Sequence, residues 1–248
     1  MALREDVEKQ GNWLFKWRSY LPIVIVPILL IALRNSEILE KVFGNKINNF
    51  WEFLSVCIGF LGFGVRCLVA GHAPRGTSGR NARKQTADTL NTTGIYSIVR
   101  NPLYLGNFLI IIGISIFIQV WWFALIVLVG FWIYYERIIF AEEEFLRKKF
   151  GSLFLEWSLK TPAFFPRFKN WKKPNLPFSF KTVLRREFST FFAFVAVFTF
   201  LDIAADLLIE KKLEVGMLWG IFFIFGLVVY LILLILKKKT KILNVEGR

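Results

Sequence analysis

The 248-residue chain is 55% hydrophobic and 17% aromatic, with a mean hydropathy of +0.51 and a formal net charge of +14. Apolar content at that level, bunched into long runs, excludes an ordinary soluble domain and reads as an integral membrane protein. The basic residues flank the apolar runs, so the charge reads as attraction to anionic headgroups and not as nucleic-acid binding.

From the N-terminus, Met1–Tyr20 is polar and charged, and no cleavable signal peptide is expected there. Six spans follow, predicted at about residues 19–33, 51–70, 103–119, 120–140, 188–208 and 215–236. The first carries Pro22 and Pro27 and is expected to kink or to lie partly in the interface. The second holds Cys57 and Cys67, read as small apolar helix residues, and Gly59, Gly62 and Gly64, read as close-packing positions. The third and fourth meet at Gln119–Trp122 and form a tight hairpin. The fold expected is an all-α polytopic membrane bundle of about six transmembrane helices. A core over 1–187 would be followed by an additional C-terminal hairpin and basic tail over 188–248.

Charge orients the spans. With the N-terminus inside, the outer loops hold only Arg34, Lys41, Lys46, Lys211 and Lys212, and the other 27 Lys and Arg lie on inner segments. Both termini are therefore expected in the cytoplasm.

Three inner segments carry the candidate chemistry. The loop Gly71–Thr93 places Arg75, Arg80, Arg83 and Lys84 among glycines and hydroxyl residues. Glycine lets backbone N–H groups approach an anion, and arginine forks grip phosphate or carboxylate; an ordinary headgroup-touching loop is the plainer alternative. His72, at its start, is read as interfacial filler. Next, Gly94–Gly106 runs into span three with Arg100, Asn101-Pro102, Tyr104 and Gly106. Proline suits a first helical turn, and a helix N-terminus favours an anionic group. Finally Glu142, Glu143 and Glu144 follow span four. Neighbouring helical residues point about 100° apart, so one can face the bundle while another faces water. A solvated patch pairing with Arg147, Lys148 and Lys149 is the competing reading. Asp202 and Asp206 share a face of span five and are read as a polar contact near the outer surface. The chain has no metal-ligand spacing, P-loop or Rossmann glycine pattern.

Read together, the second and third segments resemble the isoprenylcysteine carboxyl methyltransferase and phospholipid methyltransferase superfamily. The matching residues are Arg100, Pro102, Tyr104 and Gly106, then Glu142, Glu143, Leu146, Phe150 and Gly151, then Thr161-Pro162 and Pro166. Asn101 stands where that pattern has His; it can hydrogen-bond but cannot titrate near neutral pH. The resemblance implies S-adenosylmethionine as methyl donor, with Arg100, Asn101, Tyr104, Gly106, Glu142 and Glu143 as its contacts. The stretch from Gly76 to Asn107 is also similar to bacterial lipid A phosphate methyltransferases. That likeness implies the inner membrane of a bacterium, with the site facing the cytoplasm.

An oxygen anion needs no general base to accept a methyl group, whereas an amine must first lose a proton. No base is evident, so the expected acceptor is a lipid with an anionic headgroup. Its phosphate would be held by Arg75, Arg80, Arg83 and Lys84, with Arg80, Arg83 and Arg100 neutralising charge during transfer. No nucleic acid and no metal is expected as partner, and the oligomeric state stays open. The alternatives are an isoprenylcysteine-type carboxyl methyltransferase, an NADPH-dependent sterol-type reductase and a non-enzymatic membrane protein.

Overall fold

The computed structural model describes residues 2–36, 44–74, 76, 85–209, 211 and 215–248. Among them the chain is helical, with a single isolated bridge between Gly94 and Lys172 and no strand. The helices are α1 (Leu3–Trp17), α2 (Val26–Leu33), α3 (Asn45–His72), α4 (Pro102–Phe117), α5 (Trp121–Phe150), α6 (Ser152–Lys160), α7 (Phe180–Ile209) and α8 (Met217–Lys239). Four of them, α3, α5, α7 and α8, are long and apolar enough to cross a membrane; α2 and α4 are shorter apolar helices. The architecture is the polytopic helical bundle expected.

Spans two to six appear close to their predicted places, with two instructive extensions. At 30 residues α5 is about 45 Å long, well beyond a hydrocarbon core of about 30 Å. Its last turns therefore carry Glu142–Glu144 out of the apolar layer on the same rigid helix. Likewise α7 begins at Phe180, eight residues before the apolar run. The division expected after residue 187 falls inside this helix.

The first span departs most from expectation. It is a 3-10 turn, Leu21–Ile25, followed by the eight-residue α2, and each carries a proline in its first turn. The polar segment before it forms α1, which crosses the C-terminal half of α5. Gly11 makes that crossing possible, because a Cβ there would overlap the Arg137 carbonyl and Ala141. Arg4 pairs with Glu144, Lys148 with Glu8, and Arg137 donates to Gln10.

The most intimate packing is between α3 and α4. A Cβ on Gly62 would lie 2.5 Å from the Gly106 carbonyl oxygen, and one on Gly113 would lie 2.7 Å from that of Ser55. Small residues let the two backbones touch, which strengthens dispersion contacts where no hydrophobic drive exists. A core of Leu33, Phe117, Ile118, Phe194, Phe198 and Leu201 joins α2, α4 and α7 at the end of the bundle away from Glu142. There Gln119 turns the hairpin with a φ of 64° and donates its side-chain amide to Asn48. That end also holds a cavity of about 250 Å³ shared by Asp202, Asp206 and Glu52.

Candidate functional site

The three consecutive glutamates take three different partners. Glu144 is buried and turns toward α1, pairing with Arg4 and Arg147. Glu143 faces the loop before α4: Arg100 donates through Nε and Nη2 to its two oxygens at 2.9 and 3.0 Å, and Asn101 Nδ2 donates to it at 3.0 Å. Glu142 turns into a cavity of about 420 Å³. One turn of helix thus divides its charge among a docking contact, a clamp and an open site.

The clamp is extensive. Arg100 Nη1 also donates to the carbonyls of Ser158 and Thr161, and Asn101 donates to that of Ala163. Backbone bonds run from Arg100 N to Pro162, from Arg167 N to Ile98 and from Gly94 N to Lys172. Trp157 Nε1 donates to the Tyr96 carbonyl, and Lys172 N to Ser97 Oγ. The proline-rich tail therefore pins the loop 94–101 along its length. At position 101, where the superfamily pattern has His, asparagine bridges Glu143 and a backbone carbonyl, which uses both amide hydrogens.

The cavity opens where six segments converge. From α5 come Glu142 and Tyr135, from α4 Tyr104 and Asn107, and from the preceding loop Tyr96, Arg100 and Asn101. The N-terminal segment adds Phe15 and Arg18, α3 adds Arg66, and α7 adds Arg186 and Glu187. Arg18 stacks over Phe15, with 4.0 Å between the guanidinium carbon and the ring centre, and lies 3.9 Å from Glu142. The Tyr104 hydroxyl hydrogen-bonds with Glu142, and its ring meets Tyr135 with 4.9 Å between centres. Burial pushes the Tyr96 hydroxyl well above its ordinary pKa, with the Glu142 carboxylate adding and Arg186 opposing. Tyr96 thus stays a neutral donor at physiological pH.

Arg66 is held by a second network. It donates to Glu187 at 2.9 Å, to Asn107 at 2.6 Å and to Thr190 at 3.4 Å. Gly106 makes room for it, since a Cβ there would lie 2.8 Å from Arg66 Cγ and 2.9 Å from the Gly62 carbonyl oxygen. Gly106 itself is buried between α3 and α4 and does not line the cavity.

Of the expected site residues, Arg100, Asn101, Tyr104 and Glu142 meet at the cavity, with Glu143 directly behind Arg100 and Asn101. Arg75, Arg80, Arg83 and Lys84 lie outside the described residues. His72 is structural: its ring bonds the Leu176 carbonyl at 3.0 Å and meets the edge of Phe178. Arg18, Arg66, Arg186 and Glu187 were not anticipated. Arg66 carried a signal, as a charge within four residues of the end of an apolar run; Arg18 carried none beyond its place before a span.

Comparison with known proteins gives a partial match. The family model described as phospholipid methyltransferase matches residues 75–152, just under a third of the chain. The nickel-cobalt-cadmium resistance protein NccN of Alcaligenes xylosoxydans xylosoxydans is 38% identical over 87 residues, 35% of this chain and 39% of that protein. The cobalt-zinc-cadmium resistance protein CzcN of Cupriavidus metallidurans is 38% identical over 80 residues, 32% of this chain and 37% of that protein. The chain thus spans about two fifths of the length of these curated relatives. No solved structure matches significantly. The segment similar to phospholipid methyltransferases is the one that carries Arg100, Asn101, Tyr104, Glu142 and Glu143, and the match supports a membrane methyltransferase.

Proposed function

We propose that the protein is an S-adenosylmethionine-dependent membrane methyltransferase whose acceptor is an oxygen anion of a lipid, a phosphate of the lipid A 1-phosphate kind. The observation that carries this reading is the cavity in which Glu142, Arg18 and three tyrosines converge on the segment similar to phospholipid methyltransferases. Its volume of about 420 Å³ falls within the range of small-molecule sites, about 300–1,000 Å³.

The donor set fits this cofactor. A carboxylate such as Glu142 suits an ammonium group or ribose hydroxyls, and an arginine such as Arg18 suits a carboxylate. The faces of Tyr96, Tyr104 and Tyr135 suit a flat base and a cationic sulfur. When bound, S-adenosylmethionine supplies a methyl group on an electrophilic sulfonium.

The chain's own residues bind, orient and exclude water. An anionic acceptor oxygen attacks without a base, and no histidine lines the cavity. Positioning and partial desolvation then supply much of the rate. Arg66, Arg186 and Glu187 line the cavity where α3 and α7 meet, and Glu187 balances the charge of Arg66. Arg75, Arg80, Arg83 and Lys84 are proposed to complete acceptor binding, with Arg80 and Arg83 neutralising the phosphate. Arg100 acts here as a positioning residue, its Nε and both Nη atoms being engaged by Glu143 and two carbonyls. The site is proposed to face the cytoplasm of a bacterial inner membrane.

Membranes containing the protein, given methyl-labelled S-adenosylmethionine, test the reading. Label should enter the lipid fraction and withstand mild alkali, as an anionic phosphodiester does. Release of labelled methanol under mild alkali would instead identify a carboxyl ester. Arg80→Ala and Arg83→Ala retaining full transfer would remove the proposed role of that loop.

A further inference from the structure

A third cavity, of about 250 Å³, lies at the same end of the bundle as Glu142, where the start of α7, the end of α8 and the C-terminal tail meet. Arg185, Arg186, Lys237 and Arg248 line it together with Thr182 and two aliphatic side chains. No Asp or Glu side chain lines it; Glu246, on the same tail, is exposed outside it. Arginine and lysine donors gathered with a hydroxyl around so small a space suit an anion.

The walls are fixed in place. Arg248 donates to the carbonyls of Gly71 and Pro177, which orients its guanidinium without neutralising it. Leu243 is buried against Phe188 and Leu233, so the tail is packed onto α7 and α8. Lys237 lies 5.0 Å above the Phe188 ring. Arg185 makes no ion pair among the described residues. Arginine forks with a lysine point charge and a hydroxyl form a donor set matched to phosphate oxygens. Arg186 lines this pocket and the cavity of Glu142 alike, so an occupant of one borders the other.

We propose that this pocket binds a phosphate group of a membrane lipid headgroup, which gives the last two spans and the tail a part in lipid recognition. That the lipid held there is also the methyl acceptor rests on the methyltransferase reading; the phosphate site itself does not.

The test titrates the full chain in detergent with short-chain phosphatidic acid, and separately with inorganic phosphate, without any methyl donor. Short-chain phosphatidylglycerol and a neutral diacylglycerol serve as a charged and an uncharged comparison. Saturable binding of phosphatidic acid is expected, weakened about tenfold or more in the Arg185→Ala/Lys237→Ala double variant. The charge-conserving Arg185→Lys/Lys237→Arg variant should retain binding within a few-fold and shows that folding is not the cause. Competition by inorganic phosphate at similar concentration would assign a free phosphate compound in place of a lipid and overturn the lipid assignment. Equal affinity in the wild type and the alanine double variant, or equal binding of diacylglycerol, would overturn the site. S-Adenosylmethionine affinity, measured in the same variants, should be unchanged because neither residue lines the Glu142 cavity. A failed cofactor titration with intact phosphatidic acid binding would count against the methyltransferase reading alone.

Discussion

The Arg100–Glu143 pair shows how one residue can serve a site without facing its ligand. Two parallel N–H···O bonds join them, and two backbone carbonyls take another guanidinium hydrogen-bond donor. Removing either partner leaves a half-buried charge unpaired. Arg100→Ala is therefore expected to cost about 2–3 kcal/mol, read as earlier thermal unfolding in detergent. Arg100→Lys should recover little of that, since an ammonium cannot reproduce the fork. A melting curve for Arg100→Ala that matches wild type would show the clamp to be inert. At this scale the motif residues were legible because their order and spacing are distinctive. The partition of Glu142, Glu143 and Glu144 was legible only as an angle: sequence fixes the 100° step but not which neighbour waits in each direction. Arg18 and Arg186 escaped notice because a basic residue beside an apolar run is what any membrane protein carries for topology.

At the scale of helices, glycines set the geometry of the site. Gly106→Val would drive a branched side chain into the Gly62 carbonyl and the stem of Arg66. A loss of about 2–3 kcal/mol is expected, with displacement of Arg66 from Glu187 and Asn107. Gly130 is the contrast: nothing lies within 4 Å of its added Cβ. Gly130→Ala should be neutral or stabilising by about 1 kcal/mol, because alanine is the better helix former. Parallel thermal melts of both variants check this, and equal melting would show that the α3–α4 contact is loose. The close packing of Gly59 and Gly62 was readable from span two, but Gly64, read the same way, has nothing within 4 Å of an added Cβ and is not a packing position. The helix α1 was not readable, because its stripe of Val7, Gly11, Leu14 and Phe15 is set in a segment whose charges make it polar as a whole. It is held by partners on α5 that lie far away in sequence. Gly11→Leu is expected to detach α1 from Arg137 and Ala141 and, by moving Phe15 and Arg18, to weaken ligand binding in the cavity.

Across the whole molecule, the ends of the helices sort into two layers of different chemistry. Arg18, Arg66, Arg100, Arg186 and the glutamates gather at one end, and Asp202, Asp206 and Glu52 at the other. The basic bias predicts that the first layer faces the cytoplasm. With Cys57 and Cys67 replaced by alanine, an impermeant maleimide on intact cells should label Gly216→Cys and spare Lys173→Cys; the reverse pattern would invert the topology. The order of the apolar segments was legible because length and hydropathy alone decide it; of the six expected spans four form helices long enough to cross a membrane, and the first is broken at its prolines. The meeting of six segments at one cavity was not legible, since it depends on contacts such as Arg66 with Glu187 that no local pattern encodes. The measurement that tests the central claim most directly is calorimetric titration of the purified protein with S-adenosylmethionine, wild type beside Glu142→Ala and Asp202→Asn. Saturable binding that is lost or at least tenfold weaker in Glu142→Ala and unchanged in Asp202→Asn is the predicted result. A folded wild type that fails to bind S-adenosylmethionine in detergent and in lipid nanodiscs would contradict it.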